Sequence, residues 1–289
     1  PGGFQDEDMV NDGWTEIIRN ILLLHRAAAA AGQKDPADLV QLADFKKMEQ
    51  IRARIDAVVK DKRTAEALKP WYNQFCKRPC FHDDYLPTFN RPNVTLVDTE
   101  GRGVERITEN AVIANGKAYE VDCLIYATGF EVGTDYTRRS GYDLTGRDGL
   151  TLSGKWSHGV STLHGISSRG FPNAFVIQPS QAGFAVNFPS VIGEQARHIA
   201  YIIAETMGRQ ARTVEPSAAA EEAWVQTIID TSVFNRKFQE ECTPGYYNNE
   251  GKPNPLAIRN GPYGKGPIAY TRLLDDWREA GTLEGLELA

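Results

Sequence analysis

The chain has 289 residues, a hydrophobic fraction of 41% and a formal net charge of -6, enough apolar material to bury one large or two ordinary cores. Net negative charge argues against a general nucleic-acid or anionic-membrane binder, since both need clustered positive charge, and no run of 18 apolar residues is present to span a bilayer. Four cysteines, at 76, 80, 123 and 242, are too few and too scattered for a disulfide framework and fit a reducing cytoplasm.

The first residue is Pro1 and not Met, so the chain reads as a fragment or a processed product. Residues 12 to 31 are predicted as a helix, with Trp14, Ile17, Ile18, Ile21 and Leu24 on one stripe and Gly32 as its stop. Asp35 and Pro36 open a second helix, in which Leu39, Leu42, Phe45, Met48, Ile51, Ile55 and Val58 recur about every 3.5 residues. A short third helix covers Thr64 to Leu68. The pattern then changes. NVTLVDT (93 to 99) is strand-like, and Asn115-Gly116 between apolar runs is a strong hairpin signal. The near-continuous apolar run CLIYAT (123 to 128) reads as a strand covered on both faces, and AFVIQ (174 to 178) as another. Helices follow over about Ser190 to Met207, Pro216 to Val233 and Ile268 to Ala280, with a Gly-, Pro- and Asn-rich loop from Cys242 to Gly266. The expected fold class is mixed α/β with a helical insert at the front.

Several motifs carry candidate chemistry. Lys77-Arg78 is an adjacent cation pair that would ordinarily be solvated. Trp71, Tyr72, Phe75, Phe81 and Tyr85 surround it in sequence, and such a frame can hold a guanidinium in a partly desolvated place where it favours an anion. The set Cys76, Cys80 and His82 does not have a common zinc spacing, so no metal is expected. GKGPIA (264 to 269) matches G-x-G-x-x-A without a strand before it, and reads as a loop capping the last helix and not as a dinucleotide site. His198 lies in a helical apolar pattern and reads as structural. The Ala127-Thr128-Gly129 turn after a buried strand places a backbone N-H where a flavin or its pyrophosphate could approach.

Together these segments resemble the C-terminal half of the Baeyer–Villiger monooxygenases, which are class B flavoproteins using FAD and NADPH. The resemblance rests on the order and spacing of Lys77-Arg78, of Phe89-Asn90-Arg91-Pro92-Asn93-Val94-Thr95-Leu96-Val97-Asp98, of Ala127-Thr128-Gly129-Phe130, and of Lys155-Trp156 followed by Gly170-Phe171-Pro172-Asn173. It implies a C-terminal part of two split Rossmann-like dinucleotide-binding domains. Residues 1 to 75 would be the helical insert of the NADPH domain, 76 to 122 the rest of that domain, and 123 to 289 the FAD domain with a covering loop. It further implies conversion of ketones and O2 to esters or lactones through a C4a-peroxyflavin, with Arg78 as the catalytic cation. Lys77 would meet NADPH. Ala127, Thr128, Gly129, Phe130, Gln181, Tyr246 and Asn248 would contact cofactors, and Gln178, Ala182, Gly183, Phe184 and Asn187 would line the ketone pocket. The Rossmann glycines of both domains are missing from this chain, so its expected partner is the N-terminal half of the same protein. The alternatives are a flavin-containing amine or sulfide oxygenase, and a cofactor-free fragment that serves as a binding module.

Overall fold

The computed structural model describes residues 7–30, 37–129, 135–185, 187–252 and 254–289, with backbone alone at 21, 24, 25, 28, 29, 37–40 and 246. The chain divides into two compact units, Phe4–Glu131 with Gly245–Tyr247, and Val132–Pro244 with Asn248–Ala289. The expected boundary at 122/123 and this division bracket the ATG turn.

In the first unit α1 (Gly13–Ala30) packs on α2 (Ala37–Val58). Asp12 and Thr15 cap α1 reciprocally, since Thr15 N donates to Asp12 Oδ1 at 2.9 Å and Asp12 N to Thr15 Oγ1 at 3.1 Å. The expected caps of α2, Asp35 and Pro36, lie outside the described residues, as does Gly32. The short α3 (Lys62–Leu68) starts at Asp61, which accepts from Thr64 N at 2.8 Å. Ile55, Val59 and Ala65 form a small core closed by Leu86 of α4 (Tyr85–Thr88) and by Phe89. Leu42 and Phe45, expected on the buried stripe of α2, are exposed.

Three antiparallel strands follow, β1 (Arg106–Ile107), β2 (Ala111–Ala114) and β3 (Lys117–Glu120), with Ala114 opposite Lys117. Asn115 and Gly116 join β2 to β3 at φ 52° and 71°. Positive φ at both central residues is what a two-residue hairpin of the primed type needs. The strands expected at 93–99, 123–128 and 174–178 do not form. Residues 121–129 are exposed throughout, with Ile125 at 82% and Tyr126 at 68%. A doubly covered strand depends on neighbours for its hydrogen bonds and for both its faces, and none of the described strands pairs with this segment.

The second unit contains α5 (Tyr136–Ser140), α6 (Leu152–Lys155), α7 (Phe188–Gly208), β4 (Val214–Pro216), α8 (Ala218–Thr231), α9 (Arg236–Glu241), α10 (Pro267–Ala280) and β5 (Leu286–Leu288). β4 and β5 pair antiparallel, Val214 opposite Leu288. Leu163, Ala182, Trp224, Ile228, Tyr270 and Leu274 make the main core, so α8 and α10 both bury a face against the 159–183 region. A second cluster, Ile166, Ile202 and Val214, is packed by Trp277.

The GKGPIA stretch leads into α10 as expected, with Gly266 at its N-cap and Pro267 in its first turn. Gly264 is there for room: a Cβ would lie 1.6 Å from the Thr231 carbonyl oxygen. Gly264→Ala is therefore expected to destabilise the second unit by about 3 kcal/mol, since backbone cannot yield as a side-chain tip can. Gly208→Ala, at a helical glycine with open space around it, is expected to be neutral or to stabilise by up to about 1 kcal/mol. Urea unfolding midpoints of the two variants check the contrast.

Candidate active site

Lys77 and Arg78 lie between α3 and α4 of the first unit, each near an aromatic ring. The Arg78 guanidinium carbon lies 5.9 Å from the Trp14 ring centroid, and Lys77 Nζ 5.6 Å from the Tyr72 ring. Trp14 is held by Phe75 at 6.4 Å and, edge-on, by Phe81 at 5.8 Å. A Cβ on Gly13 would meet the Phe81 ring at 2.2 Å, so the start of α1 is glycine where the aromatic cluster sits against it. Of the expected frame, Tyr72 lies against Lys77, Phe75 and Phe81 pack on Trp14, and Trp71 lies against Arg52 at 4.6 Å. Trp14, read from periodicity as a core residue of α1, is the face that Arg78 uses. No local signal links it to a cation more than sixty positions away. The expected desolvation is not supplied by this unit, because Arg78 is exposed. A guanidinium attracted to an aromatic ring at this distance still has its N-H donors for an anion.

The turn Ala127-Thr128-Gly129 is also exposed. Gly129 has φ 88° with open space where a Cβ would stand, so the backbone is bare on that side. Phe130 lies outside the described residues.

In the second unit the segment 178–187 runs from Gln178 into α7. Gln178 and Gln195 exchange an amide pair: Gln178 N donates to Gln195 Oε1 at 3.1 Å and Gln195 Nε2 donates to Gln178 O at 2.9 Å. Ala182 and Gly183 are buried, and a Cβ on Gly183 would touch the Tyr270 ring at 2.7 Å. Phe184 and Asn187 are exposed, so the open side of the segment is its later half. Gln181 corrects an expectation. Its side chain is fully buried, accepts from Thr162 Oγ1 at 2.6 Å and donates to the carbonyls of Val160 and Arg259 at 2.7 and 3.1 Å, which spends both of its N-H groups inside the fold. Asn248 is likewise turned inward: its Nδ2 lies 3.2 Å from Gln239 O and Cys242 O, and its Oδ1 accepts from Gly251 N at 3.1 Å. It shapes the 242–251 turn instead of offering its amide outward. The Tyr246 side chain lies outside the description.

Behind the 178–187 segment sits a buried histidine pair. His164 Nδ1 and His198 Nε2 are 3.1 Å apart, and Arg278 Nη1 is 3.4 Å from His198 Nδ1. A guanidinium only donates, so His198 Nδ1 is the acceptor and its proton is on Nε2, which donates to His164 Nδ1. Both rings are thus neutral, with fixed tautomers, and a proton added to either would set two N-H groups face to face. Burial pushes His164 down to about 4; burial, then His164 and Arg278, push His198 down to about 3. The structural reading of His198 fits this geometry.

The other segments behind the family resemblance are scaffold. Asn90 accepts from Lys60 N at 2.8 Å and donates to Val58 O at 2.7 Å, closing the end of α2. Lys155 bonds Glu221 and the Arg169 carbonyl at 2.8 and 2.7 Å, and Trp156 Nε1 reaches Ser161 O and Ser168 Oγ at 3.2 Å. Asn173 donates to Arg212 O at 2.9 Å and accepts from Val214 N at 3.0 Å. The cation pair and the ATG turn present groups outward, as do Arg91, Asn93 and Asp98 of the 89–98 motif.

The chain matches no protein-family model. It is 52% identical, over 98% of its length, to a neopentalenolactone D synthase of Streptomyces avermitilis, of which it covers 48%. It is 47% identical over 98% of its length to a Baeyer–Villiger monooxygenase of Stachybotrys chlorohalonatus, covering 46% of that protein. Among solved structures, the polycyclic ketone monooxygenase of Thermothelomyces thermophila matches 99% of this chain with a TM-score of 0.84 and 34% identity, over 48% of that chain. A cyclohexanone monooxygenase of Rhodococcus bound to NADP+ matches 86% with a TM-score of 0.69 and 29% identity, over 45% of that chain. The chain spans about half the length of the curated relatives it matches.

Proposed function

We propose, for a chain homologous to half of a Baeyer–Villiger monooxygenase, that it is the C-terminal part of an FAD- and NADPH-dependent enzyme converting ketones to esters or lactones. The observation that carries this reading is the exposed Arg78 beside the Trp14 ring, in a chain 47% identical over 98% of its length to a Baeyer–Villiger monooxygenase. The overall reaction balances as ketone, O2, NADPH and a proton giving ester, NADP+ and water.

The residues fit the two cofactors at the level of a half-site. The bare backbone at Gly129 suits a nucleotide approaching without a side chain in the way, and Lys77-Arg78 suits phosphate or developing negative charge. When bound, FAD supplies the redox chemistry between NADPH, O2 and the ketone. Arg78 holds negative charge at the reacting oxygen, and Lys77 meets a phosphate of NADPH. Phe184 and Asn187, the exposed residues of the 178–187 segment, would meet the ketone. In this reading residues up to 122 belong to the NADPH domain and the remainder to the FAD domain. The other half of the protein pairs with the exposed run 123–128 and with 174–178. No helix among the described residues is long and apolar enough to cross a membrane, and Cys76 and Cys242 are each disulfide-bonded, which the reducing cytoplasm expected from the sequence does not favour.

The first test is the visible absorption spectrum of the complete protein, followed by product analysis with cyclic ketones. Stoichiometric flavin and an ester product are the expected results. N-oxide from an amine with ketones left unchanged would move the assignment to the amine and sulfide oxygenases, and a colourless protein that stays so with added FAD would end the enzyme reading.

A further inference from the structure

The saturation of Gln181 goes beyond a buried amide finding partners. Its main-chain N donates to Gly261 O at 2.8 Å, and its carbonyl accepts from Trp224 Nε1 at 3.0 Å. With the side-chain bonds to Val160, Thr162 and Arg259, one residue joins the extended 160–162 segment, the 259–261 turn and α8. The neighbouring stitches run the same way: Tyr263 N donates to Ala182 O at 2.9 Å, Val160 N to Asn260 Oδ1 at 2.8 Å, and Arg259 Nε to Val160 O at 3.1 Å. Gln181 takes φ 57°, a region that a residue with a Cβ occupies only where its surroundings over-determine it. The 259–261 turn is the C-terminal base of the 242–266 loop, and Gln181 lies inside the 178–187 segment.

We propose that Gln181 is a positioning residue, the joint through which the 178–187 segment and the base of the 242–266 loop are held in one geometry, so that pocket shape and loop placement are set together. The proposal rests on the reading of 178–187 as the ketone pocket. It makes the substrate preference of the enzyme depend on a residue that never touches the ketone. A change at Gln181 would alter which ketone orientation is accepted before it altered the chemical step.

The test uses the flavin-loaded complete protein with Gln181→Met, similar in length but without hydrogen bonds, and Gln181→Glu, similar in shape but with carboxylate oxygen opposed to two carbonyls. Amide hydrogen exchange over 255–263 is expected to quicken by about tenfold or more in both, the scale of one lost buried hydrogen bond, with α7 and α8 unchanged. Per bound flavin, KM for the ketone is expected to rise about tenfold and the ratio of regioisomeric esters to shift, while kcat stays within about threefold, as loss of positioning ahead of chemistry requires. Thr162→Val, which removes the bond to Oε1 alone, is expected to show the same pattern at smaller amplitude and serves if the Gln181 variants do not accumulate. Faster exchange spread evenly over α7, α8 and α10, with KM and product ratio unchanged, would overturn the proposal. Absence of any ester from the unsubstituted protein would instead remove the ketone reading, and with it the assignment of 178–187 as a pocket, whatever the exchange pattern.

Discussion

Arg78→Ala is expected to lower ester formation by about 100- to 1000-fold, the range found when one fixed donor to a developing anion is removed, while NADPH oxidation continues uncoupled from product. The reasoning starts from the mount. The Arg78 guanidinium sits 5.9 Å from the Trp14 ring, and Trp14 is itself gripped by Phe75 and Phe81. A cation resting near an aromatic ring while exposed to solvent keeps its N-H donors available to an anion. Arg78→Lys keeps the charge but not the fork, and is expected to fall between wild type and alanine. Oxygen consumption, NADPH consumption and ester are to be measured together, because uncoupling is the signature that separates loss of charge stabilisation from loss of cofactor binding. Near-normal ester formation by Arg78→Ala would remove Arg78 from the chemistry.

Acidification is expected to weaken the second unit well above the carboxylate range, through the His164–His198 pair. Their folded values, about 4 and about 3, lie below the ordinary histidine value of about 6.5. Below that value the unfolded chain takes up protons that the folded pair refuses, so unfolding is favoured by protonation. Stability is therefore flat above about pH 7 and falls as pH drops from about 6.5 toward 4, by up to about 1.4 kcal/mol per pH unit for each histidine. The groups facing the pair reinforce the sign: Arg278 points a donor at His198 Nδ1, while Trp277 and Trp224 cover the rings with their edges. Glu194 and Asp275 are engaged with Arg278 and not with the rings. Urea midpoints between pH 7 and 5 test this, with His198→Gln expected to flatten the slope. A midpoint that does not move over that interval would show that the pair accepts a proton in place.

Much of the helical architecture was legible because helices are local. Periodicity and caps placed α1, α7, α8 and α10 within a few residues, and the Asn115-Gly116 turn supplied the hairpin that it announces. The cation pair and the ATG turn were legible for a related reason, since their residue types and order carry the family resemblance without any contact having to be known. Gln181 and Asn248 were not legible. A glutamine in a Gly-, Pro- and Ser-containing stretch gives no sign that its amide is consumed by carbonyls about twenty and eighty positions away.

What the amino-acid sequence alone determined is the set of elements whose stabilising contacts lie within a few residues of one another, together with the kinship and candidate chemistry that its motifs carry. Only tertiary structure decided which of those motifs are scaffold, as Asn90, Lys155, Trp156 and Asn173 are, and which aromatic ring carries Arg78. It also decided that CLIYAT stays an exposed, unpaired run here. A strand's hydrogen bonds and both of its faces are completed by other segments, so a sequence can announce a strand that only its neighbours can form.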